Sequence, residues 1–134
     1  MAWRGRLRLL LDTHAVLWWL KGDPALPPMA RAAILAEDNT IFVSAVSAME
    51  VTTKHRIGKL PQAATLALRF EDMVADQGFV PLSLTLPHGA LAGRLSIEHK
   101  DPFDRMLIAQ ALVEGMTLIS NETLFDRAGV ARLW

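Results

Sequence analysis

The 134-residue sequence contains no cysteine, and that absence removes disulfide frameworks, thiolate zinc sites and cysteine nucleophiles together. Net charge is absent too. The 14 Lys and Arg stand against 14 Asp and Glu, which argues against a uniformly basic nucleic-acid binder but says nothing of how the charges are distributed. Although 51% of residues are hydrophobic, the uninterrupted stretch Ala15 to Leu20 falls far below the roughly 20 residues of a membrane span. Arg4, Arg6 and Arg8 ahead of Leu9 to Leu11 imitate the start of a signal peptide, but Asp12, Thr13 and His14 interrupt it. No targeting segment is expected, and the cytoplasm is the expected compartment. Ser44, Ser47 and Ser120 lack a Gly-x-Ser-x-Gly elbow, no phosphate-cradling P-loop is present, and no second histidine stands at zinc-ligand spacing from His55 or His99.

What is present reads as alternating strands and helices over one domain, residues 1–134. Short apolar runs at Leu7 to Leu11, Thr40 to Val43 and Thr117 to Ile119 end at polar or acidic residues and precede helical patterns. A fourth, Phe79 to Leu84, is interrupted by Pro81. The spacing of Ala63, Leu66, Ala67, Phe70, Met73 and Val74 predicts one amphipathic helix from Gln62 to Gln77, closed by Gly78. Pro27 and Pro28 open another over Ala30 to Ala36. Asp101 to Glu114 is apolar almost all round, which predicts a buried central helix stopped by Gly115. Together these imply an α/β fold: a three-layer α/β/α sandwich around a short, largely parallel sheet.

Ligands of open parallel sheets bind beyond the carboxyl ends of the strands. Five acids fall at such junctions: Asp12 after the first strand, Glu50 in the first turn after the second, Asp101 and Asp104 opening the buried helix, and Glu122 after Thr117 to Ile119. Ionised together they would repel one another unless they shared a proton or held a hard divalent cation, Mg²⁺ or Mn²⁺. Such an ion suits phosphodiester hydrolysis. Each acid alone has a plainer role as a helix cap. Ser47 to Glu50 is written as a capping box, Asp101-Pro102-Phe103-Asp104 is a capping pattern, and Asp12 would cap the next helix. Helix capping explains each acid but not why four junctions on one sheet edge all carry them. The basic residues Lys54, His55, Arg56 and Lys59, and His99, Lys100 and Arg105, flank the acids and would meet phosphates. Thr13 would bond a phosphate or orient a carboxylate, and His14 reads as structural.

Three segments carry a resemblance to a known family: Leu10-Leu-Asp-Thr-His-Ala-Val-Leu-Trp18; Ser44-x-x-Ser-x-x-Glu50 with Lys54 and Gly58-Lys-Leu60; and His99-x-Asp-Pro-Phe-Asp-Arg-x-Leu-x-Ala-Gln-Ala111. In order, and over nearly the whole chain, they resemble PIN domains of the VapC toxin type. The resemblance implies a magnesium-dependent ribonuclease site held inactive by a cognate VapB-like antitoxin. By position, Asp12, Glu50 and Asp104 match the family's acids and Asp101 an additional one. Where the family most often has Asp after Thr/Ser-x, this chain has Ser120-Asn121-Glu122. The implied roles are Asp12, Glu50, Asp104 and Glu122 as metal ligands with Asp101 beside them, and Thr13, Lys54, Lys59, Arg105 and Ser120 as RNA contacts or support.

Two other readings are a receiver-like phosphoacceptor domain and a PIN-like binding module without catalysis. The first lacks the acidic pair after strand one, and Glu122 is the one hint of the second. Adjacent Trp18 and Trp19, with the Leu- and Met-containing segment Pro24 to Leu35, mark a surface for an antitoxin helix or a second subunit in a homodimer. Without the five clustered acids, nine remain against 14 bases, so the rest of the chain carries about +5.

Overall fold

The computed structural model describes residues 6–98 and 101–134; Arg4, His99 and Lys100 lie outside them. In chain order the elements are β1 (Arg8–Leu11), α1 (Thr13–Lys21), α2 (Pro28–Leu35), β2 (Thr40–Ser44), α3 (Ala45–Arg56), α4 (Ala64–Leu68), α5 (Phe70–Asp76), β3 (Val80–Leu82), α6 (Leu86–Arg94), α7 (Pro102–Glu114), β4 (Thr117–Ile119) and β5 (Arg132–Leu133). Single 3₁₀ segments span Pro61–Ala63 and Thr123–Ala128. All five strands run parallel in the order β3-β2-β1-β4-β5.

β1 is central, which explains its unbroken leucines: Leu9, Leu10 and Leu11 are all fully buried because both sheet faces are covered. Leu9 and Leu11 join one core with α1, α2, α4 and α5, while Leu10 joins a second core with Leu107, Ile108 and Ala111 of α7. The α/β/α sandwich follows. Register then sets the site. Leu11 pairs with Val43 of β2 and Ile119 of β4, so Asp12, Ser44 and Ser120 leave the sheet at one level. The amide of Asp12 is still tied to the Ile119 carbonyl, at 3.1 Å.

Several elements differ from the sequence reading. The helix expected over 62–77 is a 3₁₀ turn followed by α4 and α5, broken where Arg69 leaves helical geometry (φ −126°, ψ 31°). Ala63, Leu66, Phe70 and Val74 remain buried across the break, so the apolar stripe survives although the backbone bends. No proline or glycine marks the bend. Pro81 sits in β3, an edge strand, where its missing N–H costs least. α7 is buried from Leu107 to Ala111, but Leu112 and Val113 are 37% and 43% exposed, so its last turn is not central. α6, capped by Thr85, and the two-residue β5 are additional. Among the described residues no helix is long and apolar enough to cross a membrane.

Candidate active site

All five sequence-selected acids line one cleft of about 370 Å³ at the carboxyl edge of the sheet. Asp12 caps α1: its Oδ1 accepts the Ala15 amide at 2.8 Å, and the residue is 6% exposed. Burial pushes its carboxyl above the ordinary carboxylate value, and nearby Asp104 pushes the same way. Hydrogen bonds from Ser120 and the Ala15 amide, and the neighbouring His14, oppose that rise without cancelling it.

Glu50 lies in the second turn of α3, not the first, because the helix begins at Ala45 and its cap is Ser44. The expected Ser47–Glu50 capping box is therefore absent: both residues are inside the helix and buried, facing Thr13. Thr13 Oγ1 donates to Glu50 Oε1 at 2.7 Å and lies 3.0 Å from Ser47 Oγ. Lys54 Nζ reaches Glu50 Oε2 from one turn on, at 2.5 Å. Both Glu50 oxygens are thus engaged by protein donors.

Asp101 caps α7, accepting the amides of Phe103 (2.8 Å) and Asp104 (3.3 Å), as its capping pattern implies. Pro102 occupies the helix start, and Asp104 follows in the first turn. Glu122 caps the second 3₁₀ segment through the Leu124 amide at 3.3 Å. Capping and cleft lining coexist: three of the acids cap a helical segment and still face the common space.

The expected RNA contacts divide. Lys54 lines the cleft and is the one lysine or arginine to do so among the described residues. Lys59 is exposed beyond the end of α3, outside the cleft lining. Arg105 is corrected: its guanidinium donates to the carbonyls of Ala92 (3.0 Å), Ile97 (3.0 Å) and Leu95 (2.6 Å), clamping the α6–α7 connection rather than facing the cleft. Ser120 is also corrected. It is fully buried, bonds Asp12 and accepts the Glu122 amide at 2.9 Å, so it supports two acids from beneath and touches no surface. Thr13, 5% exposed, likewise orients a carboxylate. Sequence reasoning missed the cleft positions of Asn121, His14 and Trp18. Asn121 had a signal, since it directly follows a strand-end residue.

The donor set is all oxygen, partly desolvated and mutually repelling, which suits a hard dication. Among the described residues no three His, Asp or Glu side chains converge closely enough to hold one unaided.

Fold and cleft define an α/β/α domain with a parallel sheet and an acid-lined carboxyl edge. The chain belongs to the PIN-domain family, whose model matches residues 9–131. This sets aside the receiver-like reading. No curated protein sequence matches. Similar solved structures include VapBC2 from Rickettsia felis bound to a DNA fragment from their promoter (TM-score 0.70, 18% identity, 95% of this chain and 98% of that one). Another is FitAcB from Neisseria gonorrhoeae (0.63, 20%, 94% and 96%). A third is Mycobacterium tuberculosis VapC20, a sarcin-ricin loop cleaving toxin (0.66, 16%, 92% and 96%). At these identities the likeness shows the shared fold.

Proposed function

We propose that this PIN-domain protein is a Mg²⁺- or Mn²⁺-dependent endoribonuclease acting as the toxin of a VapBC-like toxin–antitoxin pair in the cytoplasm. The observation that carries the reading is the convergence of Asp12, Glu50, Asp101, Asp104 and Glu122 on one cleft in a PIN-family chain. Similarity to VapBC2, FitAcB and VapC20 supports the toxin role and a VapB-like partner.

Asp12 and Asp104 are the direct metal ligands in this reading, with Glu122, Asp101 and Glu50 acting through water. When bound, the ion supplies charge to a phosphodiester oxygen and lowers the pKa of a water nucleophile. Ser120 and the Ala15 amide hold Asp12 in place, so the carboxylate needs little reorganisation. Glu50, fixed by Thr13, presents the Lys54 ammonium at the cleft, where it meets a phosphate oxygen. Lys59 contacts the strand further out. The antitoxin, or a second copy in a homodimer, covers the exposed apolar side chains of α2, Met29 at 65% and Leu35 at 64%.

Purified protein incubated with single-stranded RNA should cleave it when Mg²⁺ or Mn²⁺ is added and not in chelator. Asp12→Asn should abolish cleavage; an equally active variant would remove the assignment.

A further inference from the structure

The cleft has a second wall that the hydrolytic reading does not use. His14 and Trp18, one turn apart on α1, face the acids across the same space. Their ring centroids lie 5.4 Å apart at 32°, and Trp18 continues to Trp134 at 5.6 Å and 54°, giving a run of three rings that ends in the exposed imidazole. Core packing accounts for part of Trp18, which lies half-buried against the leucine-rich core. It does not account for the indole N–H. The adjacent Trp19 turns the other way, packs near Phe79 and donates to Gln77 Oε1 at 2.9 Å. Among the described residues the Trp18 indole N–H has no hydrogen-bond partner, and every fully buried side-chain polar atom has one. The Trp18 N–H edge is therefore open to solvent. Trp18 and His14 also line a neighbouring apolar groove of about 330 Å³, so they stand as a partition between it and the acidic cleft.

Lys54 is the one lysine or arginine among the described cleft residues, and it is paired with Glu50; Arg105 is committed to backbone carbonyls. From the side-chain cations of the described residues a polyanion gains little in this cleft. Every base, by contrast, has a π-face, and stacking on Trp or His is open to unpaired bases but not to those inside a duplex.

We infer that the His14–Trp18 wall is a base-stacking subsite, which holds an unpaired nucleobase next to the phosphodiester positioned by the carboxylates. The inference rests on the ribonuclease reading and adds how the strand is held: through the face of an unpaired base as well as through its phosphates.

The test is calorimetric binding of single-stranded hexaadenylate, and of an abasic ribose-phosphate hexamer, with Ca²⁺ present to neutralise the carboxylates. Wild type should bind hexaadenylate about tenfold more tightly than the abasic hexamer. His14→Ala, which removes the exposed terminal ring, should abolish most of that difference, Trp18→Leu, which removes the ring behind it, should weaken it by a few-fold, and Trp18→Phe should keep it within about threefold. Equal affinity of both hexamers for wild type, or unchanged affinity for hexaadenylate in folded Trp18→Leu and in His14→Ala, would overturn the subsite. So would loss of binding to a co-encoded protein partner alone, which would make the wall a protein contact. If wild type binds neither hexamer and cleaves no RNA, the ribonuclease reading fails with it; if it cleaves RNA while the variants bind normally, only the subsite fails.

Discussion

The two ends of the sheet handle charge in opposite ways. At the amino end of β1, His88 is fully buried, its Nδ1 accepts the Thr85 amide at 3.1 Å, and its Nε2 meets Glu114 Oε2 at 2.8 Å. Arg8 donates to the backbone carbonyl of the same glutamate. Each carboxylate oxygen and ring nitrogen there has a complementary partner, and the cluster ties α6, α7 and β1 together. At the carboxyl end five acids face Lys54 alone among the described lysines and arginines of the cleft. A buried polar network can thus be purely architectural. What marks a site is the gathering of carboxylates on a frame that holds them in place, and burial raises the Asp12 carboxyl within it.

The sharpest way to break this comparison is to neutralise one acid at the unbalanced end. Asp12→Asn and Asp104→Asn should each lower RNA cleavage by about a hundredfold or more in a metal-saturated assay, since each would remove one of the two proposed direct metal ligands. The effect of Asp12→Asn on stability has the opposite sign. Because the folded Asp12 carboxyl lies above its unfolded value, the native state binds the proton more tightly, and the associated stability is present in acid and lost as pH rises through the folded value. Without metal, Asp12→Asn should therefore melt at or above wild type at neutral pH, the difference closing in acid.

At the balanced end the reverse is expected. His88→Ala removes a buried ring and two hydrogen bonds, and should cost about 1–3 kcal/mol in denaturant unfolding while the folded fraction keeps its turnover. Arg105→Met, which frees the carbonyls of Ala92, Leu95 and Ile97, should cost a similar amount and leave the salt slope of RNA binding unchanged. Glu50→Gln keeps an acceptor for Thr13 but releases Lys54, and a fall of about tenfold in cleavage is expected. The smallest effect belongs to Asp126→Asn. Arg132 holds the Asp126 carboxyl below its ordinary value through a 2.9 Å hydrogen bond, so the pair helps above that value and is lost as pH falls, but it is solvent-exposed.

Much of this was legible in the sequence where one residue type answers to one cause. The central strand announced itself by three consecutive leucines, because a strand covered on both faces has no polar side. The acids were found from their positions at strand-to-helix junctions, and register brought the junctions together. The failures have physical reasons too. Ser47 and Glu50 satisfy a capping pattern, but Ser44 two residues before Val46 caps better placed amides, and the helix starts three residues early. Arg105 stands beside Asp104 in sequence, yet a helix sends neighbouring side chains in different directions, and the α6–α7 carbonyls captured the guanidinium. Adjacent Trp18 and Trp19 point different ways, as neighbours on a helix must: the Trp19 indole N–H donates to Gln77 Oε1, and Trp18 turns to His14 and Trp134.

The proposed metal-dependent site requires that a hard cation bound through Asp12 balance the carboxylates at the carboxyl edge. Thermal unfolding of wild type and Asp12→Asn, each with and without Mn²⁺ at neutral pH, tests it directly, because a ligand bound by the folded state alone raises the melting temperature in proportion to its occupancy. A clear Mn²⁺-dependent rise is expected for wild type and none for Asp12→Asn. An equal rise for both proteins, or no rise for either, would contradict it.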